Sequence, residues 1–157
     1  MVVEPAASVG VALRIVLGVF AGVVATLGMD LVMARLPEGG TPPTVAAGVL
    51  TEQSPDTAPE RLASAVHYVA GGGTGPLFVT LLFLVEGLLG GVSAVSYLVT
   101  TVVLFALMVA FFVGVVLPRP GLARQRVSAI GRDWALSAAA YLVVLVPLVW
   151  VGTGLLP

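Results

Sequence analysis

The sequence contains no cysteine and no lysine, a single histidine, and only 10% charged residues. Without cysteine there can be no disulfide, thiolate nucleophile, iron–sulfur cluster or cysteine-based zinc site. One histidine excludes an intramolecular bis-histidine haem, and with acids this scattered it leaves too few ligands to hold a metal within one chain. All seven positive charges are arginines, set against eight acids for a net charge of −1. They form no basic patch suited to nucleic acid. Catalytic signatures are missing too: there is no Ser/His/Asp order and no HExxH pair. The stretch "VAGGGTGPL" (69–77) has the glycines of a phosphate-binding loop but neither a following lysine nor a preceding strand. The expectation is a protein without cofactor, metal or nucleic-acid partner, and not an enzyme. Isoleucine is nearly absent beside abundant Ala, Val, Gly and Arg, which suits a GC-rich prokaryotic genome.

What is present is apolar. Hydrophobic residues make up 59% of 157 residues, against roughly 45 to 50% in ordinary globular domains, too little polar surface to cover a water-soluble body. A helix crosses a hydrocarbon core of about 30 Å with about 20 mostly apolar residues. Four segments meet that requirement, at about 11–36, 59–89, 92–117 and 134–156. Charges sit at their ends: Arg14, Asp30 and Arg35 in the first, Arg61 and Glu86 in the second. Trp134 and Trp150 lie 16 residues apart in the fourth, about 24 Å along a helix, as anchors at opposite interfaces would. At the N-terminus, Glu4 precedes any base, which argues for a retained first helix and against a cleaved leader.

The connections differ in kind. Residues 37–58, with Pro37, Pro42, Pro43 and Pro55, form a long polar loop around "TPPTVAAGVLTE". That stretch reads equally as a short interfacial helix, with Thr41 as N-cap and Pro42 at its first position, or as an irregular Pro-rich loop. Thr57 and Glu60 have the spacing of a capping box for the second span. The link "LLGGVS" is short enough to force the second and third spans into an antiparallel hairpin, and residues 118–133 make the last connection. The two loops and adjoining ends hold Arg35, Arg61, Arg119, Arg124, Arg126 and Arg132, while Arg14 stands alone on the other side. By the positive-inside rule, loops 37–58 and 118–133 are cytoplasmic and both termini extracytoplasmic.

"HYVAGGGTGPLF" (67–78) places His67, Gly71 and Gly75 on one helical face. The first span carries a matching stripe of Gly18, Gly22, Thr26 and Asp30. Glycine lets helix backbones approach closely where lipid supplies no hydrophobic drive between helices, so these faces should pack. Packing them sets Asp30 and His67 at one depth, roughly 6 to 8 Å inside the same end. A structural hydrogen bond that fixes register is the simpler role for this pair, and a proton or ligand site is the sharper one. Arg14 and Glu86 share a depth at the far end, although separate snorkelling to the interface is favoured over pairing. The triple glycine with Pro76 reads as close packing or as a kink, and Pro147 as a local kink. Ser93, Ser96 and Thr100, and Ser137 with its neighbouring alanines, read as small-residue packing faces more simply than as a pore lining. The loop arginines hold the loop in the cytoplasm, with attraction to anionic headgroups as a secondary role.

At "AGVVATLGMD", followed by the Pro-rich loop and "HYVAGGGTGPLF", the first half of the chain resembles small prokaryotic membrane proteins of unknown function of the YagU-like group. The positions that carry the resemblance are Ala21, Gly22, Ala25, Thr26, Met29, His67, Gly71 and Gly75. It implies a small polytopic membrane protein and no activity. The expected architecture is a single all-α integral membrane domain, an up-and-down four-transmembrane-helix bundle. The expected role is that of a structural or accessory membrane subunit, with the bilayer and a homo-oligomer or membrane-protein partner around it. The alternative is a small transporter or channel component with a protonation site at Asp30 and His67.

Overall fold

The computed structural model describes residues 5–156 of the chain, with side-chain environments from residue 10 onward. Glu4, cited above against a cleaved leader, lies outside that range. Among the described residues the chain is all-helical: α1 (Pro5–Met33), α2 (Thr41–Thr51), α3 (Glu60–Leu89), α4 (Ala94–Phe111) followed by a π-helical turn (Phe112–Val116), and α5 (Arg124–Leu155). Four of these, α1, α3, α4 with its π turn, and α5, are long and apolar enough to cross a membrane. They close into an up-and-down ring in which α1 contacts α3 and α5, and α4 contacts the other sides of both. One end of the ring carries the loops and α2; the other carries the α3–α4 hairpin.

Several element boundaries differ from the sequence expectation, each for a local reason. α1 stops at Met33, because residues 34–40 turn back in short hydrogen-bonded steps such as Arg35 N–H to Val32 O and Gly39 N–H to Leu36 O. The stretch at 41–51 is a helix. Its N-cap is Gly40 rather than Thr41, the prolines occupy its first turn, and Glu52 ends it in the left-handed region at φ 56°. The Thr57/Glu60 capping box does not form: Pro59 is the N-cap of α3 without a side-chain bond, and the Thr57 hydroxyl donates to Ser54 O instead. The connection expected at 118–133 is much shorter, since α5 begins at Arg124 and its first ten residues are helical. Polarity marks where apolar surface ends, not where helical hydrogen bonding ends. At 32 residues, α5 is about 48 Å long and outruns a hydrocarbon core of about 30 Å.

Glycine governs the α1–α3 seam. A Cβ built on Gly75 would collide with the Gly18 carbonyl oxygen, one on Gly22 would lie 2.7 Å from Gly71 O, and one on Gly18 would lie 3.0 Å from the Gly75 carbonyl carbon. The two backbones therefore touch at these four glycines. α3 stays helical through Gly71, Gly72, Gly73 and Pro76. At the hairpin, Gly90 (φ 84°) and Gly91 (φ 136°) take conformations that suit glycine, and Ser93 caps α4 by accepting the Ser96 N–H at 3.1 Å. Ser96, Thr100 and Ser137 are buried, and their hydroxyls donate to Gly91 O, Ser96 O and Asp133 O. They fill packing positions.

The main core gathers Ala25, Met29, Phe78, Leu82, Leu104 and Tyr141 from all four long helices. A second cluster at the loop end joins Val45 of α2 to Phe112, Leu117 and Ile130. The π turn serves that cluster: Leu117 N–H bonds Phe112 O at 2.8 Å, and this wide turn brings both residues to the buried side.

The seam yields a direct test. Gly75→Ala should lower stability by about 1 to 3 kcal/mol, the usual cost of overpacking. Gly73→Ala, whose new Cβ would meet nothing within 4 Å, should instead raise it by about 0.5 to 1 kcal/mol, the cost of glycine inside a helix. Thermal unfolding of the two purified variants beside the parent reads both.

Candidate functional site

With the glycine faces in contact, the ionisable side chains at each end of the seam meet. At the loop end, Asp30 Oδ1 and His67 Nε2 lie 2.7 Å apart, and the Tyr68 hydroxyl donates to Asp30 Oδ2 at 2.7 Å. An ionised carboxylate only accepts, so Nε2 carries the proton and, in the neutral ring, Nδ1 is an acceptor. The His67 side chain is nine-tenths buried while that of Asp30 is about one-third exposed. Among the described residues Nε2 is the ring nitrogen that is hydrogen-bonded; Nδ1 has no partner.

At the hairpin end, Arg14 and Glu86 form a two-pronged pair, Nη2 to Oε1 at 2.8 Å and Nη1 to Oε2 at 3.1 Å. Separate snorkelling was the favoured expectation, and the structure differs. Arg14 also lies over the Phe83 ring, 4.5 Å from its centroid, and only 13% and 9% of the two side chains is exposed. A planar guanidinium satisfies a carboxylate with two parallel bonds, and the aromatic face holds it there. Two long side chains from adjacent helices reach each other more readily than either reaches water past the core.

Between these ends, Tyr141 of α5 donates its hydroxyl to Gly71 O at 2.6 Å. The bond crosses the space that a side chain at Gly22 would occupy, since a Cβ there would come within 3.1 Å of the Tyr141 oxygen. α1, α3 and α5 are thereby tied at one level.

An apolar cleft of about 380 Å³ opens beside this cluster. α3 and α4 touch near the hairpin, where the Phe78 and Tyr97 rings meet at a tilt, 6.2 Å between centroids. Toward the loop end they part, and the cleft lies between Gly73 and Leu77 of α3 on one side and Met108 and Phe111 of α4 on the other. α2 covers it with Pro42, Pro43 and Ala46, while His67, Trp134 and Tyr141 line its depth. Trp134 is fixed there by stacking on Phe112 at 4.5 Å between centroids.

Sequence reasoning brought out Asp30, His67, Arg14, Glu86 and the glycines Gly18, Gly22, Gly71 and Gly75. It missed Tyr68, Tyr141 and Asp133. Asp133 is fully buried; its Oδ2 accepts the Glu38 backbone N–H at 2.9 Å and its Oδ1 accepts from Arg132 at 3.0 Å. It ties the α1–α2 turn to α5. The available signal was an acid next to an arginine and one residue before a tryptophan that the core holds. Arg126 completes the clasp by pairing with Asp56 at 2.8 Å and Glu38 at 3.4 Å. The hydrogen bond from Arg126 holds the Asp56 carboxyl below the usual carboxylate range. Among the described residues, no group of three His, Asp or Glu side chains is placed to hold a metal ion.

Breaking a buried ion pair strands one charge, which typically costs about 3 to 5 kcal/mol, whereas replacing both partners with apolar groups is often neutral or better. Arg14→Met alone or Glu86→Met alone should therefore destabilise by several kcal/mol, and the double variant should regain most of the loss in a thermal unfolding series. Losses that simply add in the double variant would mean that the pair is incidental. Comparison of the chain with known protein families, curated proteins and solved structures finds no match to any of them.

Proposed function

We propose that the chain is a multi-pass protein of the cell membrane, both termini extracytoplasmic, that serves as a structural or accessory membrane subunit and carries out no reaction of its own. The observation that supports this most is the outer surface. Leu88 is 85% exposed, Leu155 80%, Val69 76% and Val143 73%, and such residues recur along all four long helices. Soluble monomers rarely show contiguous apolar patches beyond a few hundred Å²; a bilayer solvates that surface without penalty. The loop end gathers six arginines and the hairpin end has Arg14, which supports a cytoplasmic loop end. The interlocked seam, closed by the Asp30–His67 and Arg14–Glu86 bonds, suits a rigid body that packs against another membrane protein or a second copy. The YagU-like resemblance adds no activity to this reading.

Because the chain has no cysteine, single cysteines report topology without background. Ser54→Cys should react with a membrane-impermeant maleimide only after cells are opened, and Val92→Cys in intact spheroplasts. The reverse pattern would invert the orientation, and recovery of the chain in the soluble fraction would remove the membrane reading. Gentle solubilisation should yield a stable co-purifying partner or a homo-oligomer; a lone chain counts against the accessory role.

A second reading, a small transporter or channel component with a protonation site at Asp30 and His67, is favoured by one observation: Nδ1 of a buried imidazole is without a partner beside a cleft. It expects flux in proteoliposomes that depends on pH and that is lost in Asp30→Asn and in His67→Gln. Flux equal to that of empty liposomes across pH would leave the structural reading alone.

A further inference from the structure

The polar side chains of the α3–α4 cleft have their donors engaged, the Trp134 indole N–H by Met108 O at 3.4 Å. Tyr141 already donates its hydroxyl proton to Gly71 O, and Thr74 donates its own to Ala70 O at 2.7 Å. Against an ionised Asp30, 2.7 Å away, His67 donates its Nε2–H, so in the neutral ring Nδ1 offers a lone pair. A molecule seated here finds acceptors and no free donor among the side chains that line the cleft. A carbonyl, carboxylate or phosphate head would find nothing to bind; a head rich in N–H donors would.

Charge points the same way. No arginine lines the cleft, and the Asp30 carboxylate lies 2.7 Å from the imidazole that does. Asp30 on α1, Tyr68 on α3 and Tyr141 on α5 are the titratable groups around His67; α2, α4 and the π turn place none there. The remaining wall is apolar, and its mouth is bordered by the exposed Val69, Leu77 and Phe111, open to the surface that the bilayer is proposed to cover.

We infer that this cleft binds a lipophilic primary ammonium ion, its alkyl body between α3 and α4 and its head donating a hydrogen bond to His67 Nδ1. The same lone pair takes a proton when the imidazole becomes a cation, so proton and ligand exclude each other at one atom. Asp30, held by His67 and Tyr68, supplies the negative charge that favours either occupant. The site rests on the second reading, because it uses the same imidazole, and adds to it the class of molecule that competes with the proton.

The test uses the full chain in lipid nanodiscs with Trp150→Phe, a change that keeps an aromatic ring against Tyr97 and leaves Trp134 as the single tryptophan. Octylammonium, octanol and octyltrimethylammonium are titrated against Trp134 fluorescence. Octylammonium should quench saturably and at least tenfold more tightly than the other two, which lack either the charge or the N–H donors. Its affinity should fall on acidification, as the proton takes the same lone pair while an alkylammonium, like lysine with its pKa of about 10.4, stays charged. Gly73→Leu fills the cleft from a position whose Cβ meets nothing within 4 Å; it should abolish saturable quenching without lowering the melting temperature, since it also removes a glycine from a helix interior. Equal binding of the three probes, quenching that does not saturate, or indifference to Gly73→Leu overturns the inference. Probe binding without flux in liposomes would remove the transport reading and leave the site; flux without probe binding would do the opposite.

Discussion

Backbone contact between α1 and α3 at Gly18, Gly22, Gly71 and Gly75 is the constraint on which the polar chemistry of this protein depends. Two helices whose carbonyls meet with no side chain between them have one register, because a slip of a residue would bring a Cβ against a carbonyl oxygen. Once that register is set, Asp30 and His67 have no choice but to meet at one end, and Arg14 and Glu86 at the other. The ion pairs follow from the packing. They then reinforce it, since sliding either helix would strand a charge in an apolar surround.

The two ends of the seam are alike in origin and opposite in character. At the hairpin end a guanidinium and a carboxylate satisfy each other on both prongs, under an aromatic ring, with little left exposed. That is a closed arrangement. At the loop end Asp30 has both its oxygens engaged, but the imidazole it orients keeps one nitrogen unbound, and the helices beside it diverge. The loop-end clasp of Asp133 and Arg126 holds α2 and the turns across the opening. A rigid seam with one sealed terminus and one open terminus is an arrangement in which occupancy at a single nitrogen can be felt without the helices having to move apart.

Much of this was legible in the residues. Period-four glycine stripes and the depth of the charges gave the seam and the Asp30–His67 contact, because both depend on spacing along a helix and little else. The hairpin was legible from the length of its link. Features that depend on a third element were not. Tyr141 reaches Gly71 only because α5 lies beside both glycine helices, and no pattern within α5 signals that neighbour. In the sequence Asp133 reads as the end of a polar loop, because charge and Trp134 mark where apolar surface begins, whereas helical hydrogen bonding runs on to Arg124. The pairing of Arg14 with Glu86 was undervalued for a similar reason: the aromatic support from Phe83 depends on side-chain directions that spacing does not specify.

The π turn at Phe112–Val116 has a consequence for how this chain can vary. A π turn holds one residue more than an α turn, so it stores an extra residue without displacing the helix on either flank. A homologue shorter by one residue within 112–116 would close the turn into ordinary α-helix and keep α4 and the start of α5 in place. A deletion of one residue between Gly18 and Gly22, or between Gly71 and Gly75, would instead rotate one glycine of the pair about 100° off the face of the other. Tolerance of single-residue length changes should thus be concentrated at this turn, making it the point where related chains can drift in length while conserving their shape.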